Sequence, residues 1–294
     1  MTRYTRLPPA AYAFRLLTLL VFGAYSSLSL GGTAVTGGAD DVDIRYAVSG
    51  DGDTSLVFVH GWSCDSGYWS EQIRAFDDRY RVITLDLAGH GQSGSERQDW
   101  SMTAFGRDVA AVVNAAAPGP VVLIGHSMGG QVVLEAAQAL GDKVALIVGV
   151  DTLQTPGVPA LTAEESRRLW APFSDDYAAA TAGFVRQSFF LPDSPTELVD
   201  RVASDMAGAN PEVALAAGHE LTMYSNPDGL RAASATPLVL INAAYRPTDT
   251  DTLRALHPQS SLRLMQGVGH FPMLEDPAAF NRILAEVLDA GLGR

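Results

Sequence analysis

The chain has few of the residues that would staple it or let it grip a polyanion. Its 294 residues include a single cysteine, Cys64, which excludes an intramolecular disulfide framework and a cysteine-based zinc site. Lysine and arginine number 20 against 33 acidic residues, giving a formal net charge of −13. That balance argues against nucleic acid as a partner, because phosphate binding needs clustered cations. No internal repeat or low-complexity tract is evident. No pair of histidines has metal-ligand spacing, so no metal is expected. Gly89-His90-Gly91 lacks the Gly-Lys-Ser/Thr of a phosphate loop, and nothing else calls for a cofactor. Apolar residues make up 47% of the chain, enough for a sizeable core.

The N-terminus also lacks a full bilayer span. Arg3, Arg6 and Arg15 precede the apolar run Leu16-Leu17-Thr18-Leu19-Leu20-Val21-Phe22-Gly23-Ala24-Tyr25, and small residues follow through Gly31-Gly32-Thr33-Ala34. The run is shorter than the about 20 residues a spanning helix needs. Positive flank, short apolar centre and small-residue exit are the three parts of an export signal. Residues 1–34 are therefore expected to be a signal peptide or membrane-proximal segment, cleaved after Ala34 or retained as an anchor. The latter would allow transient membrane contact. The folded body is expected to begin near Asp41.

From there strands and helices alternate. Asp43–Ser49 and Thr54–Val59 read as strands joined by Gly50-Asp51-Gly52-Asp53. Trp69–Phe76 is helical, Arg81–Asp86 a buried strand, Met102–Ala117 a helix stopped by Pro118-Gly119, and 121–125 a strand. A helix over 128–140 and a strand Val144–Val150 follow. Such alternation implies right-handed crossovers and a mostly parallel sheet flanked by helices, an α/β fold. After Asp151 it breaks: residues 152–234 carry helical segments and no obvious strand. Alternation resumes with a strand Pro237–Asn242, a helix near Thr250–Leu256, a strand Ser261–Gln266 and a helix Pro277–Ala290. The division is a core of residues 41–151 and 235–294, with a helical cap, 152–234, over the sheet edge where α/β folds bind ligands.

One pentapeptide carries chemistry. Gly125-His126-Ser127-Met128-Gly129 lies between the apolar run Pro120–Ile124 and the helix-like Gln131–Leu140. A serine flanked by glycines at a strand-to-helix turn is held on a sharp, strained elbow that lifts its hydroxyl above the sheet. A serine hydroxyl needs an imidazole to take its proton. His270, in the glycine-flanked loop Gly267-Val268-Gly269, is placed to supply one. His126, beside the serine, is expected to point away from it. His219 and His257 read as surface helix positions.

The chain resembles the capped α/β hydrolases from about residue 43 to its end. Four stretches carry the likeness: His60-Gly61-Trp62, Asp86-Leu87-Ala88-Gly89-His90-Gly91-Gln92-Ser93, the elbow at Ser127, and Gly269-His270-Phe271-Pro272. The resemblance implies Ser127 as nucleophile, His270 as base, and the backbone N–H groups of Met128 and Trp62 as an oxyanion hole. The acid departs from the commonest pattern, because Tyr245 and Arg246 stand roughly where it is expected. Asp249 and Asp251 come later and look like helix caps. Asp151, at the end of the strand Val144–Val150, resembles the acid of the haloalkane dehalogenase-like branch, and it is the preferred candidate. A serine nucleophile excludes the carboxylate chemistry of haloalkane dehalogenases and epoxide hydrolases. What the resemblance implies is acyl transfer from a small or medium carboxylic ester to water. Lactone or C–C bond hydrolysis, or slow turnover in a small-molecule sensor, would use the same residues.

Overall fold

The computed structural model describes residues 33–293. Eight strands form one sheet: β1 (Thr33–Gly37), β2 (Asp43–Ser49), β3 (Ser55–Val59), β4 (Arg81–Leu85), β5 (Val121–His126), β6 (Val144–Val150), β7 (Leu238–Ala243) and β8 (Ser260–Met265). Their order is β1-β2-β4-β3-β5-β6-β7-β8. β2 pairs antiparallel with β1 and with β4, and every later pair is parallel. All residues of β3 and β5 are buried. This explains why both read as unbroken apolar runs: helices cover a parallel sheet on both faces, and no position needs to be polar.

Four helices pack beside the sheet in two pairs: α1 (Ser70–Phe76) with the C-terminal helix Pro277–Gly291, and α2 (Met102–Ala116) with α3 (Met128–Leu140). Between β6 and β7 run α4 (Ala163–Asp175), α5 (Tyr177–Ser188), α6 (Thr196–Ala207), α7 (Pro211–Met223) and α8 (Asn226–Ala232), with no strand among them. Then come α9 (Thr250–Leu256), the short α10 (Pro272–Glu275), and the C-terminal helix, α11. Local chemistry sets the boundaries. Thr162 and Glu165 form a reciprocal capping box at the start of α4, and Asn210 caps α7 ahead of Pro211. Among the described residues no helix is long and apolar enough to cross a membrane.

The expected start of the fold needs correcting. Thr33–Gly37 is the edge strand, pairing Thr33 with Ala47 and Gly37 with Asp43, so the sheet begins ahead of residue 41. Cleavage after Ala34 would cut through that strand. Residues 1–32, which carry the rest of the export-signal expectation, lie outside the described residues.

The strand order also places the site. From β3 the chain moves to β4 on one side, then returns past it to β5 on the other. The loops leaving β3 and β5 therefore diverge at a topological switch point, where open α/β sheets bind ligands. Those loops carry Trp62 and Ser127.

One buried ion pair fastens the N-terminal edge. Arg97 Nη1 is 2.5 Å from Asp108 Oδ2, with both side chains fully buried, and Asp108 Oδ1 accepts from the Ala39 N–H at 2.6 Å. The guanidinium lies over the rings of Trp100 and Phe105. Removing one partner strands a charge in the interior, so Arg97→Ala is expected to cost about 3–5 kcal/mol in urea unfolding. The apolar double variant Arg97→Met, Asp108→Leu should recover most of that loss. A single-variant cost below about 1 kcal/mol would refute the assignment.

Candidate active site

Ser127 ends the turn from β5 into α3 with φ 52° and ψ −119°, a conformation that costs a non-glycine residue about 1–3 kcal/mol. The flanking glycines are there for steric reasons. A Cβ at Gly125 would fall 2.1 Å from the Gly129 carbonyl oxygen, and one at Gly129 would fall 2.6 Å from that of Val59. The turn is pinned by the Ser127 N–H donating to Val150 O at 3.0 Å and the Gly130 N–H donating to Ser127 O at 2.8 Å. The hydroxyl sits half-buried above the sheet edge.

The structure brings His270 and Asp151 to this hydroxyl. His270 Nε2 is 3.0 Å from Ser127 Oγ, and His270 Nδ1 is 2.6 Å from Asp151 Oδ2. Asp151 is buried at the end of β6, with φ 42°, and its Oδ1 accepts from the Ala243 N–H at 2.9 Å. The next residue ties the acid's loop to the elbow: Thr152 Oγ1 donates to Ser127 O, while Asn242 brackets the Thr152 backbone through its side-chain amide. Asp249 does something else. It is exposed and caps α9, accepting from the Thr252 N–H, which holds its carboxyl below the usual range. Asp251 lies in the first turn of the same helix.

His270 is held from both sides of its own backbone. The His270 N–H donates to Phe189 O at 2.7 Å, and the His270 carbonyl accepts from His126 Nε2 at 2.8 Å. Glu275 accepts from the N–H groups of Gly269 and Phe271, which rounds off the loop. The Phe189 ring stacks on the imidazole at 4.2 Å.

His126, beside the serine, packs its ring 4.8 Å from that of His270. His60 and His90 brace loops instead. His60 accepts from the Leu87 N–H and donates to Gly61 O, while His90 donates to Ala88 O. Burial lowers the pKa of all three, His90 to about 3, so they are neutral at neutral pH. His257 is fully buried at the end of α9, not on the surface. His219 is half-buried, with its Nδ1 2.8 Å from the Ser166 hydroxyl.

The loop after β3 comes close to the serine at Gly61, where a Cβ would lie 3.1 Å from that of Ser127. Among the described residues, the Trp62 backbone N–H has no acceptor. Met128 opens α3, where a first-turn N–H has no partner within the helix. The Trp62 indole donates to Ala214 O at 2.7 Å and packs on Trp170 and Tyr177, joining the β3 loop to the inserted helices.

Two spaces meet at Ser127. One is a crevice of about 10 Å³ lined by Gly61, Trp62, His126, Phe189 and Met206. That is room for about one water. Cys64 also lines it, but burial drives the thiol pKa well up, so it stays protonated and unreactive. The other is an open, mostly polar cavity of about 270 Å³ reaching Gln131, Thr155, Asn226 and Arg246. Among the described residues no cluster of His, Cys, Asp or Glu could hold a metal ion.

The sheet order and a strained serine at the β5–α3 elbow define the α/β hydrolase fold. The chain belongs to the alpha/beta hydrolase family, whose sequence model matches residues 56–283, and it is a hydrolase. It is 34% identical over 182 residues to the pimeloyl-[acyl-carrier protein] methyl ester esterase of Methylococcus capsulatus, spanning 60% of this chain and 69% of that one. It is 24% identical over 271 residues to 3-oxoadipate enol-lactonase 2 of Acinetobacter baylyi, spanning 85% and 94%. An esterase structure from Rhodococcus sp. matches with a TM-score of 0.73 at 25% identity, over 87% of this chain and 98% of the other.

Proposed function

We propose that the protein is a serine carboxylesterase that acts on small esters through an acyl-enzyme. The line of hydrogen bonds from Ser127 through His270 to Asp151 carries this reading. His270 Nε2 takes the serine proton as Oγ attacks the ester carbonyl, and Asp151 holds the ring with Nε2 free and stabilises the imidazolium. The Trp62 and Met128 N–H groups receive the oxyanion. His270 then protonates the departing alcohol, and water, deprotonated by the same ring, releases the acid. No cofactor enters this cycle. The esterase names of the relatives support ester cleavage, and the enol-lactonase supports lactone opening as the same chemistry with a tethered leaving group.

The narrow crevice beside the oxyanion donors favours a short acyl group, with the alcohol in the wider cavity. The N-terminal pattern supports export to the periplasm or outside the cell, with transient membrane contact if the segment is retained. A cut that spares β1 falls before Thr33. A fluorophosphonate probe is expected to label Ser127, located by mass spectrometry, and kcat/KM for 4-nitrophenyl esters to fall at least tenfold from acetate to octanoate. Labelling elsewhere, or none, would overturn the nucleophile. A flat chain-length series would overturn the short acyl group.

A further inference from the structure

Arg246 lines the wider cavity together with Ser127 and His270. It follows β7, and two contacts hold it there. Its Nη2 donates to Ser188 O at 2.9 Å, and its guanidinium carbon lies 5.1 Å from the centre of the Tyr245 ring. Five N–H donors sit on a guanidinium, and that carbonyl takes one of them. Among the described residues Arg246 pairs with no carboxylate, although six other arginines pair with acids and a seventh ion pair joins His270 to Asp151. The carboxylate in this cavity is that of Asp151, whose oxygens already serve His270 and Ala243. The remaining lining is neutral: amides, hydroxyls and apolar groups such as Leu221. In a chain of net charge −13, the cavity thus carries an exposed arginine with donors to spare and no carboxylate bound to it.

From this we infer that Arg246 selects esters whose alcohol half carries a carboxylate, the short acyl group entering the crevice and the anion meeting the guanidinium. A planar carboxylate matches the guanidinium fork, and such charge-assisted hydrogen bonds are about twice as strong as neutral ones. The anion would be held alike in the bound substrate and in the transition state of acylation, so its effect falls mainly on KM. The inference rests on the serine-hydrolase reading of the site.

The test compares 4-acetoxybenzoate with its methyl ester, which share the acetyl group and the ring and differ in charge. Arg246→Gln in the full chain is expected to lower kcat/KM for the acid about tenfold more than for the methyl ester, mostly through KM. Arg246→Lys should restore part of the difference, and 0.5 M salt should erode the wild-type preference by screening. Equal losses on both substrates, or no loss on either, would overturn the role of Arg246 while leaving the hydrolase intact. If neither ester is turned over by the wild type and the fluorophosphonate does not react, the serine-hydrolase reading of the site has failed.

Discussion

Ser127→Ala is expected to lower kcat for 4-nitrophenyl acetate by about 10⁵- to 10⁶-fold, leaving a folded protein. The magnitude follows from what remains. Without Oγ there is no acyl-enzyme, and the His270 ring has no group to activate except water held by chance in the crevice. The fold should tolerate the change, because the elbow is held by backbone hydrogen bonds from Ser127 and Gly130 and by the close packing of Gly125 on Gly129. Alanine inherits the strain of φ 52°, whereas glycine is free of it. Ser127→Gly should therefore be equally inactive but more stable than Ser127→Ala, by about 1 kcal/mol in chemical unfolding. A folded alanine variant that kept more than a hundredth of the activity would mean that another residue attacks the ester.

Asp151→Asn should cut kcat by about 10⁴-fold with little change in structure. The loss arises from tautomer control, and the Ala243 N–H decides its direction. That donor occupies Oδ1, so an asparagine would turn its carbonyl oxygen toward Ala243 and its NH₂ toward His270. Nδ1 would then have to accept, which places the ring proton on Nε2, facing Ser127 Oγ at 3.0 Å. A protonated Nε2 cannot act as base. Asp249→Asn is the control: it alters only the cap of α9, costs at most about 1 kcal/mol, and should leave kcat within twofold. If Asp249→Asn abolishes activity and Asp151→Asn does not, the acid follows β7 instead.

Much of this arrangement is legible in the sequence because steric necessity writes it into short motifs. Gly125 and Gly129 must be glycine where backbone approaches within 2–3 Å of a Cβ, and the buried parallel strands β3 and β5 must be apolar throughout. The parts that are not legible depend on contacts between distant segments. Phe189 reads as one more apolar residue at the end of a helix, yet its ring and carbonyl both engage His270. Asn242 gives no local sign that it brackets Thr152, 90 residues away. The strand Thr33–Gly37 is short, lies at an edge and follows a leader-like run, so the export pattern hides it. Arg246 stands out in the sequence only because it is not the expected acid. Its place at the cavity becomes visible once β7 is set beside β6.

The hold of Phe189 on His270 has a mechanical consequence. Most caps can be pictured as doors that swing while the machinery beneath stays ready. Here, lifting the end of α5 would break the bond from the His270 N–H and strip the imidazole of its stacking partner. On the proposed mechanism, a substrate would have to reach Ser127 with that contact intact.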